Sequence, residues 1–186
     1  MPNEFLTGAR VYLRALEESD AQGPYVSWLN DAHVCRGNSH HVYPYTESDA
    51  TAYIRSTRDT KNALVLAIVL REDHTHIGNI ALQKIHWVNR SAEFAILLGD
   101  QRHWGKGYGT EAGRLLVQHG FGTLGLNRIE CGTFESNHGM RKLALALGMK
   151  EEGCRRQSAF KDGLFVDVIE FGMVKEDTLG ARSGLI

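Results

Sequence analysis

Residues 102–111 read Arg-His-Trp-Gly-Lys-Gly-Tyr-Gly-Thr-Glu, which puts glycines at 105, 107 and 109. Glycines at alternate positions let the backbone approach a ligand closely and turn successive N–H groups toward it. A helical pattern follows, so those donors add to the free N–H groups and positive dipole end of a helix. The combination is a cradle for a diphosphate, to which Arg102 and Lys106 add positive charge. Spacing separates this loop from two other phosphate loops. A Walker loop needs Lys-Ser or Lys-Thr after its last glycine, and none is present. A dinucleotide fingerprint has Gly-x-Gly-x-x-Gly after the first strand, whereas here Gly-x-Gly-x-Gly follows the fourth predicted strand.

A cradle of this kind needs elements to hold it. An apolar strand is predicted over 93–98, and a helix over 108–124 with Ala112, Leu115 and Leu116 on one face. Upstream, 10–15 alternates as a strand, and Ser19 and Asp20 supply an N-cap for a helix carrying Tyr25, Trp28 and Leu29. Thr46 with Asp49 reads as a capping box opening a helix to about Arg58. Strands over 63–70 and 77–86 pair as a hairpin. Downstream comes a strand at 128–134. Asn137 then caps a helix with Met140, Leu143, Ala144 and Leu147 on one face, ending at a left-handed Gly148 followed by Met149. Strands over 152–160 and 164–174 close the chain as a hairpin. The order β-α-α-β-β-β-α-β-α-β-β describes an α/β (α+β) domain: a mixed sheet of about seven strands with helices on its faces. One domain over 1–177 is expected, with 178–186 as a loose tail because Gly180 and Gly184 interrupt any periodicity.

Composition narrows the partners. With 21 basic and 22 acidic side chains, the net charge of −1 gives no electrostatic reason to expect nucleic acid or an anionic membrane. No apolar run is long enough to span a bilayer. Three scattered cysteines, Cys35, Cys131 and Cys154, are not a disulfide framework, and the N-terminus lacks a signal-peptide pattern, so a cytoplasmic location is expected. His33, Cys35, His40 and His41 are zinc-ligand types without a recognised spacing, and no metal is predicted.

Two motifs carry a resemblance. Arg102-x-x-Gly105-x-Gly107 matches the cofactor motif Gln/Arg-x-x-Gly-x-Gly/Ala, and the strand to 134, Glu135-Ser136-Asn137 and a helix closing in Leu147-Gly148-Met149 match a second element. On these residues the chain resembles the GNAT superfamily of acetyl-CoA-dependent N-acetyltransferases. The stretch 104–112 is similar to the branch containing the ribosomal-protein N-terminal acetyltransferases, whose members are often homodimers. The resemblance implies a single GNAT domain whose mostly antiparallel sheet splays between its fourth and fifth predicted strands. It implies acetyl-CoA as co-substrate, with the pyrophosphate on the amides of His103, Trp104, Gly105, Lys106, Gly107, Tyr108, Gly109 and Thr110. The pantetheine arm would pair along Ile96, Leu97 and Leu98, where splayed strands leave backbone groups unpaired. Asn137 would contact the cofactor near the thioester, or serve only as a helix cap.

Acetyl transfer to an amine needs a neutral amine, a stabilised thioester oxygen and a departing thiolate. A backbone N–H near Leu97 or Leu98 is the implied oxygen donor. Glu93, at the start of its strand, is the candidate base; the alternative is a surface strand residue paired with a neighbouring Arg. Asp167 on the closing hairpin is a second candidate. The tyrosine that protonates the thiolate in many family members is absent, because its position holds Ala144, and the branch's serine position holds Met140. A peptide or small-molecule amine would bind among Trp28, Asn30, His41, Tyr43 and Asp167, and 163–167 looks like the acceptor hairpin of amino-sugar acetyltransferases. Trp28 as core and the histidines as solvated groups is the competing reading. A non-catalytic acyl-CoA-binding module is the alternative function.

Overall fold

Val11 and Leu13 bury their side chains on one face of the sheet and Tyr12 on the other. Two cores follow from that alternation, one on each side of a single sheet. The structure, a computed structural model, describes residues 3–180. Its elements are β1 (Leu6–Thr7), β2 (Val11–Ala15), α1 (Tyr25–Leu29), α2 (Glu47–Asp59), β3 (Leu64–Leu70), β4 (His76–His86), β5 (Ser91–Leu98), α3 (Tyr108–Gly122), β6 (Arg128–Phe134), α4 (His138–Ala146), β7 (Lys150–Lys161), β8 (Leu164–Val174) and α5 (Lys175–Gly180).

The sheet runs β1-β2-β3-β4-β5-β6-β8-β7, with β5 and β6 parallel and every other pair antiparallel. The eighth strand, absent from the sequence reading, is β1, which is too short to show a period. Helices α3 and α4 cover one face, where Leu116 and Phe121 pack on Ile80, Phe94, Ile129 and Phe171. On the other face Trp28, Leu29 and Ile54 cover Ala67 and Val69. That second core stops short of β6, β8 and β7, whose bare face carries the ion pairs Arg128–Glu152 and Arg155–Glu170.

Local signals predict their elements where the donors and acceptors are neighbours. Thr46 and Asp49 form a reciprocal capping box on α2. At the end of α4, Gly148 has φ +91°, its N–H donates to the Leu145 carbonyl, and Met149 N–H donates to the Ala144 carbonyl, as in a Schellman cap. Asp162 and Gly163, at φ +51° and +84°, make the two-residue turn between β7 and β8.

Ser19 and Asp20 do not cap the helix holding Trp28. A 3₁₀ turn over Glu18–Gln22 ends at an extended Gly23, and α1 begins separately after Pro24. Proline disfavours helical geometry in the residue before it, which splits the two. Of the expected tail, 178–180 finish α5, and 181–186 lie outside the described residues. Among the described residues no helix is long and apolar enough to cross a membrane.

Candidate active site

The parallel pair β5/β6 holds register only over Ser91↔Arg128, Ala92↔Ile129 and Glu93↔Glu130, and beyond Glu93 the strands part. A groove of about 1020 Å³ opens there, walled by 93–98 of β5, Gly132 and Thr133 of β6, and the N-terminal end of α4. Gly99 N–H donates to the Ile77 carbonyl on β4. Antiparallel ladders alternate, so the Leu97 backbone groups also face β4, and those of Ile96 and Leu98 face the groove. Of the two expected oxygen donors, Leu97 is therefore turned to β4, and the Leu98 N–H faces the groove together with that of Ile96, which is not among them. The Leu98 carbonyl already accepts the Trp104 indole N–H at 2.7 Å, so Trp104 closes the far end of the free strand edge.

Glycine supplies what the phosphate loop requires. Gly105 and Gly107 sit at φ +71° and +84°, where an L side chain is strained. A Cβ on Gly109 would lie 3.2 Å from the Leu98 side chain, so a bare backbone is what fits over β5. His103, Trp104, Gly105, Gly107, Gly109 and Thr110 all line the groove. The cradle fits a diphosphate on these observations: left-handed glycines leading directly into the first turn of α3.

Two residues not singled out in the sequence brace this loop from behind. Glu111 accepts Arg10 N–H at 2.7 Å and Arg10 Nε at 2.9 Å, and Arg10 Nη1 donates to the Lys106 carbonyl at 2.9 Å. The Arg10 guanidinium also lies 4.9 Å from the centre of the Tyr108 ring. Lys106 and Tyr108 do not line the groove; Arg10 holds the Lys106 carbonyl and the Tyr108 ring. Arg102 is turned away from the groove: Asp100 takes its guanidinium at 2.7 and 3.0 Å, and that cation holds the Asp100 carboxyl below the usual range.

Asn137 does two things. Its Oδ1 accepts Met140 N–H, capping α4, and its Nδ2 donates to the Gly37 carbonyl at 2.9 Å, tying the 34–38 segment to the groove. Glu93 stands at the splay, where its carboxylate accepts Gln83 Nε2 at 2.7 Å and Lys84 Nζ at 2.6 Å. Each oxygen keeps a further lone pair for a water or an amine.

A smaller cavity of about 370 Å³ adjoins the groove and shares Gly37, Asn38, His40, Glu93, Gly132 and Thr133 with it. Its outer wall is a bulge in β7, where the register with β8 slips between Arg155 and Ala159. His40 is exposed at the mouth, where partial desolvation by the neighbouring walls and then the nearby Lys161 charge lower its pKa.

The predicted acceptor residues are not gathered in this cavity. Trp28 is 5% exposed, a core residue whose ring lies against Gly99 and His76. Asn30 is spent on both backbone groups of Tyr45. His41 and Tyr43 lie on the exposed surface of the loop. Asp167 accepts Gln157 N–H at 2.7 Å and so pins the bulge from outside. The zinc candidates are likewise separated: Cys35 is buried with its thiol on the Trp28 carbonyl, and His33 stacks on Trp104. Arg155 and Ser158 took no part in the sequence reading because 150–158 is polar throughout and shows no face.

Comparison with known proteins is consistent with this geometry. Residues 10–150 match the family model described as Acetyltransferase (GNAT) domain. The chain is 32% identical over 181 residues to "Uncharacterized N-acetyltransferase p20" of Bacillus licheniformis, covering 95% of this chain and 99% of that one. Its fold resembles the spermidine N-acetyltransferase of Vibrio cholerae solved with CoA and spermine (TM-score 0.83, 21% identity, 92% and 99% covered). It also resembles RimL, the ribosomal L7/L12 α-N-protein acetyltransferase solved with coenzyme A (TM-score 0.82, 17% identity, 90% and 95% covered).

Proposed function

Because the chain belongs to the GNAT acetyltransferase family and is an acetyl-CoA-dependent N-acetyltransferase, we propose that it passes acetyl directly to a primary amine held where β5 and β6 part. The observation that carries this reading is the position of Glu93. It is the last β5 residue paired to β6, and it lines both the groove and the smaller cavity.

Bound acetyl-CoA supplies the thioester carbonyl and a thiolate leaving group. The loop amides bind its diphosphate, and the free edge at Ile96 and Leu98 offers N–H groups to the pantetheine and to the thioester oxygen. Glu93 accepts a proton from the incoming ammonium or amine, directly or through one water, which general-base catalysis makes worth about 10²- to 10⁴-fold. Ala144 is fully buried and cannot protonate the sulfur. A free thiol has a pKa of about 8.5, so its thiolate leaves and takes a proton from water. Holding both substrates along one splay supplies the rest by proximity.

The neighbours solved with spermine and named for ribosomal L7/L12 act on different amines, so the acceptor has to be read from this chain's own cavity. The test is release of free thiol from acetyl-CoA against peptides, polyamines, amino sugars and amino acids, with Glu93→Gln alongside. Turnover that falls at least about 100-fold in the variant, at unchanged acetyl-CoA affinity, supports Glu93 as the base. Undiminished turnover in the variant removes it.

A further inference from the structure

The smaller cavity has a floor of one sign and a wall of the other. Glu93 is at its inner end, and Arg155 projects from β7 at its outer end. Arg155 Nε is held by Glu170 Oε1 at 2.6 Å. Among the described residues, its terminal Nη1 and Nη2 groups have no hydrogen-bond partner. The contrast with its neighbour Arg128 is informative. All three Arg128 nitrogens are engaged by Glu130 and Glu152, as expected of a structural pair.

The Arg155 side chain is held at Nε by Glu170 while it stays 61% exposed. A Cβ built on Gly132 would lie 3.0 Å from Glu170 Oε1 and 3.4 Å from Arg155 Nη2, so the pair lies flat over the bare β6 backbone. Gly132 lines both the groove and the cavity. A guanidinium clamped at Nε still presents its Nη1/Nη2 edge, which matches the two oxygens of a carboxylate or phosphate. Glu93 stays acceptor-only toward a cationic or neutral amine.

We propose that Arg155 determines acceptor specificity by binding an anionic group, so that the acceptor is a small amine carrying a carboxylate or phosphate near the reacting nitrogen. The inference rests on the reading of the β5/β6 splay as the transfer site. A polyamine meets a like charge at Arg155, and a neutral amine leaves the guanidinium edge unpaired. An α-amino acid, or an amine phosphorylated a few bonds away, satisfies both ends of the cavity.

The experiment compares amines matched except for the anion: amino acids against their carboxamides, and phosphoethanolamine against ethanolamine, with spermidine as the cationic control. In the wild type, kcat/KM is expected to favour the anionic member by about 10- to 100-fold, the range of a charge-assisted hydrogen bond. Arg155→Gln should abolish that preference, lowering kcat/KM for the anionic member through KM and far more than for its carboxamide, at unchanged acetyl-CoA affinity. Arg155→Lys should keep part of it, and Glu170→Gln, which frees the fork, should weaken it. Equal effects of Arg155→Gln on both members of each pair, or no wild-type preference, would overturn the proposal. Calorimetric binding of the same pairs needs no turnover. Failure of transfer with every amine therefore counts against the Glu93 reading, while the binding preference still decides the role of Arg155.

Discussion

The Asn137 side chain donates to the Gly37 carbonyl at 2.9 Å, joining the acceptor-side loop to the start of α4 across 100 residues of sequence. The approach depends on glycine: a Cβ on residue 37 would lie 2.5 Å from Asn137 Nδ2. Gly37 lines both cavities, so this contact fixes the seam between the groove and the smaller cavity.

The cap and the clasp can be separated by substitution. Asn137→Ala removes both and should cost about 1 kcal/mol of stability, the value of an N-cap. Asn137→Ser keeps a cap acceptor but cannot reach Gly37, so stability should recover while acetyl transfer stays impaired. Gly37→Ala should reproduce the activity loss with an intact cap. Urea unfolding and steady-state kinetics on the three variants check this, and full activity in Gly37→Ala would show that the clasp is dispensable.

The brace behind the phosphate loop makes a sign-specific prediction. Glu111 lies in the first turn of α3, close behind the glycine loop, and Arg10 offsets its charge. Arg10→Ala should weaken coenzyme A binding by about tenfold, the scale of a hydrogen bond to a charged group. The double variant Arg10→Ala/Glu111→Gln should bind better than Arg10→Ala alone, because the uncompensated carboxylate is gone. Titration of coenzyme A into each protein decides it; a double variant worse than either single would mean that Glu111 itself orders the loop.

Asp20 sits in a buried network that the sequence presents only as a cap. It is 6% exposed, receives two hydrogen bonds from Arg14 at 2.7 and 2.8 Å, and lies 3.3 Å from His76 Nδ1 without hydrogen-bond alignment. Burial alone would raise its pKa, but the Arg14 and His76 contacts and the Glu17 N–H outweigh that and hold it well below the usual carboxylate range. A depressed folded pKa contributes stability above the unfolded value of about 3.9, and that contribution is lost as pH falls toward the folded value. Asp20→Asn should cost about 3–5 kcal/mol at neutral pH by leaving Arg14 buried and unpaired. It should also flatten the acid limb below about pH 4. Unfolding free energies across that range measure both, and an unchanged acid limb would place the titration elsewhere.

What the sequence disclosed follows from the range of the interaction. Thr46 with Asp49, Asn137 with Met140, and the Asp162-Gly163 turn are contacts within three residues, so residue type and spacing suffice to read them. The glycine loop was legible for the same reason: its function is backbone geometry. The Arg10–Glu111 brace and the Asn137–Gly37 clasp join positions 101 and 100 residues apart, and neither side chain has a local oddity to mark it. Trp28 misled because aromatic side chains serve cores and sites alike, and only its burial under Gly99 separates the two. Arg155 was hidden because 150–158 shows no alternation of apolar and polar side chains that would tell the two faces of β7 apart.

That bulge carries the last prediction. Gln157 sits at φ +50°, a strained conformation for a non-glycine residue, and its N–H is held by Asp167 Oδ1 at 2.7 Å. Ser158 and Ala159, just beyond it, form the outer wall of the smaller cavity. Asp167→Ala removes the acceptor that stabilises the strained turn, and the hairpin should relax toward a regular ladder, moving that wall. The expected result is a raised acceptor KM, by about tenfold for loss of one such hydrogen bond, with acetyl-CoA KM unchanged. Asp167→Asn keeps an oxygen for the Gln157 N–H and should restore most of the acceptor affinity. Rescue by Asn identifies Asp167 as a positioning residue for the bulge; failure of Asn to rescue would return its negative charge to the acceptor site itself.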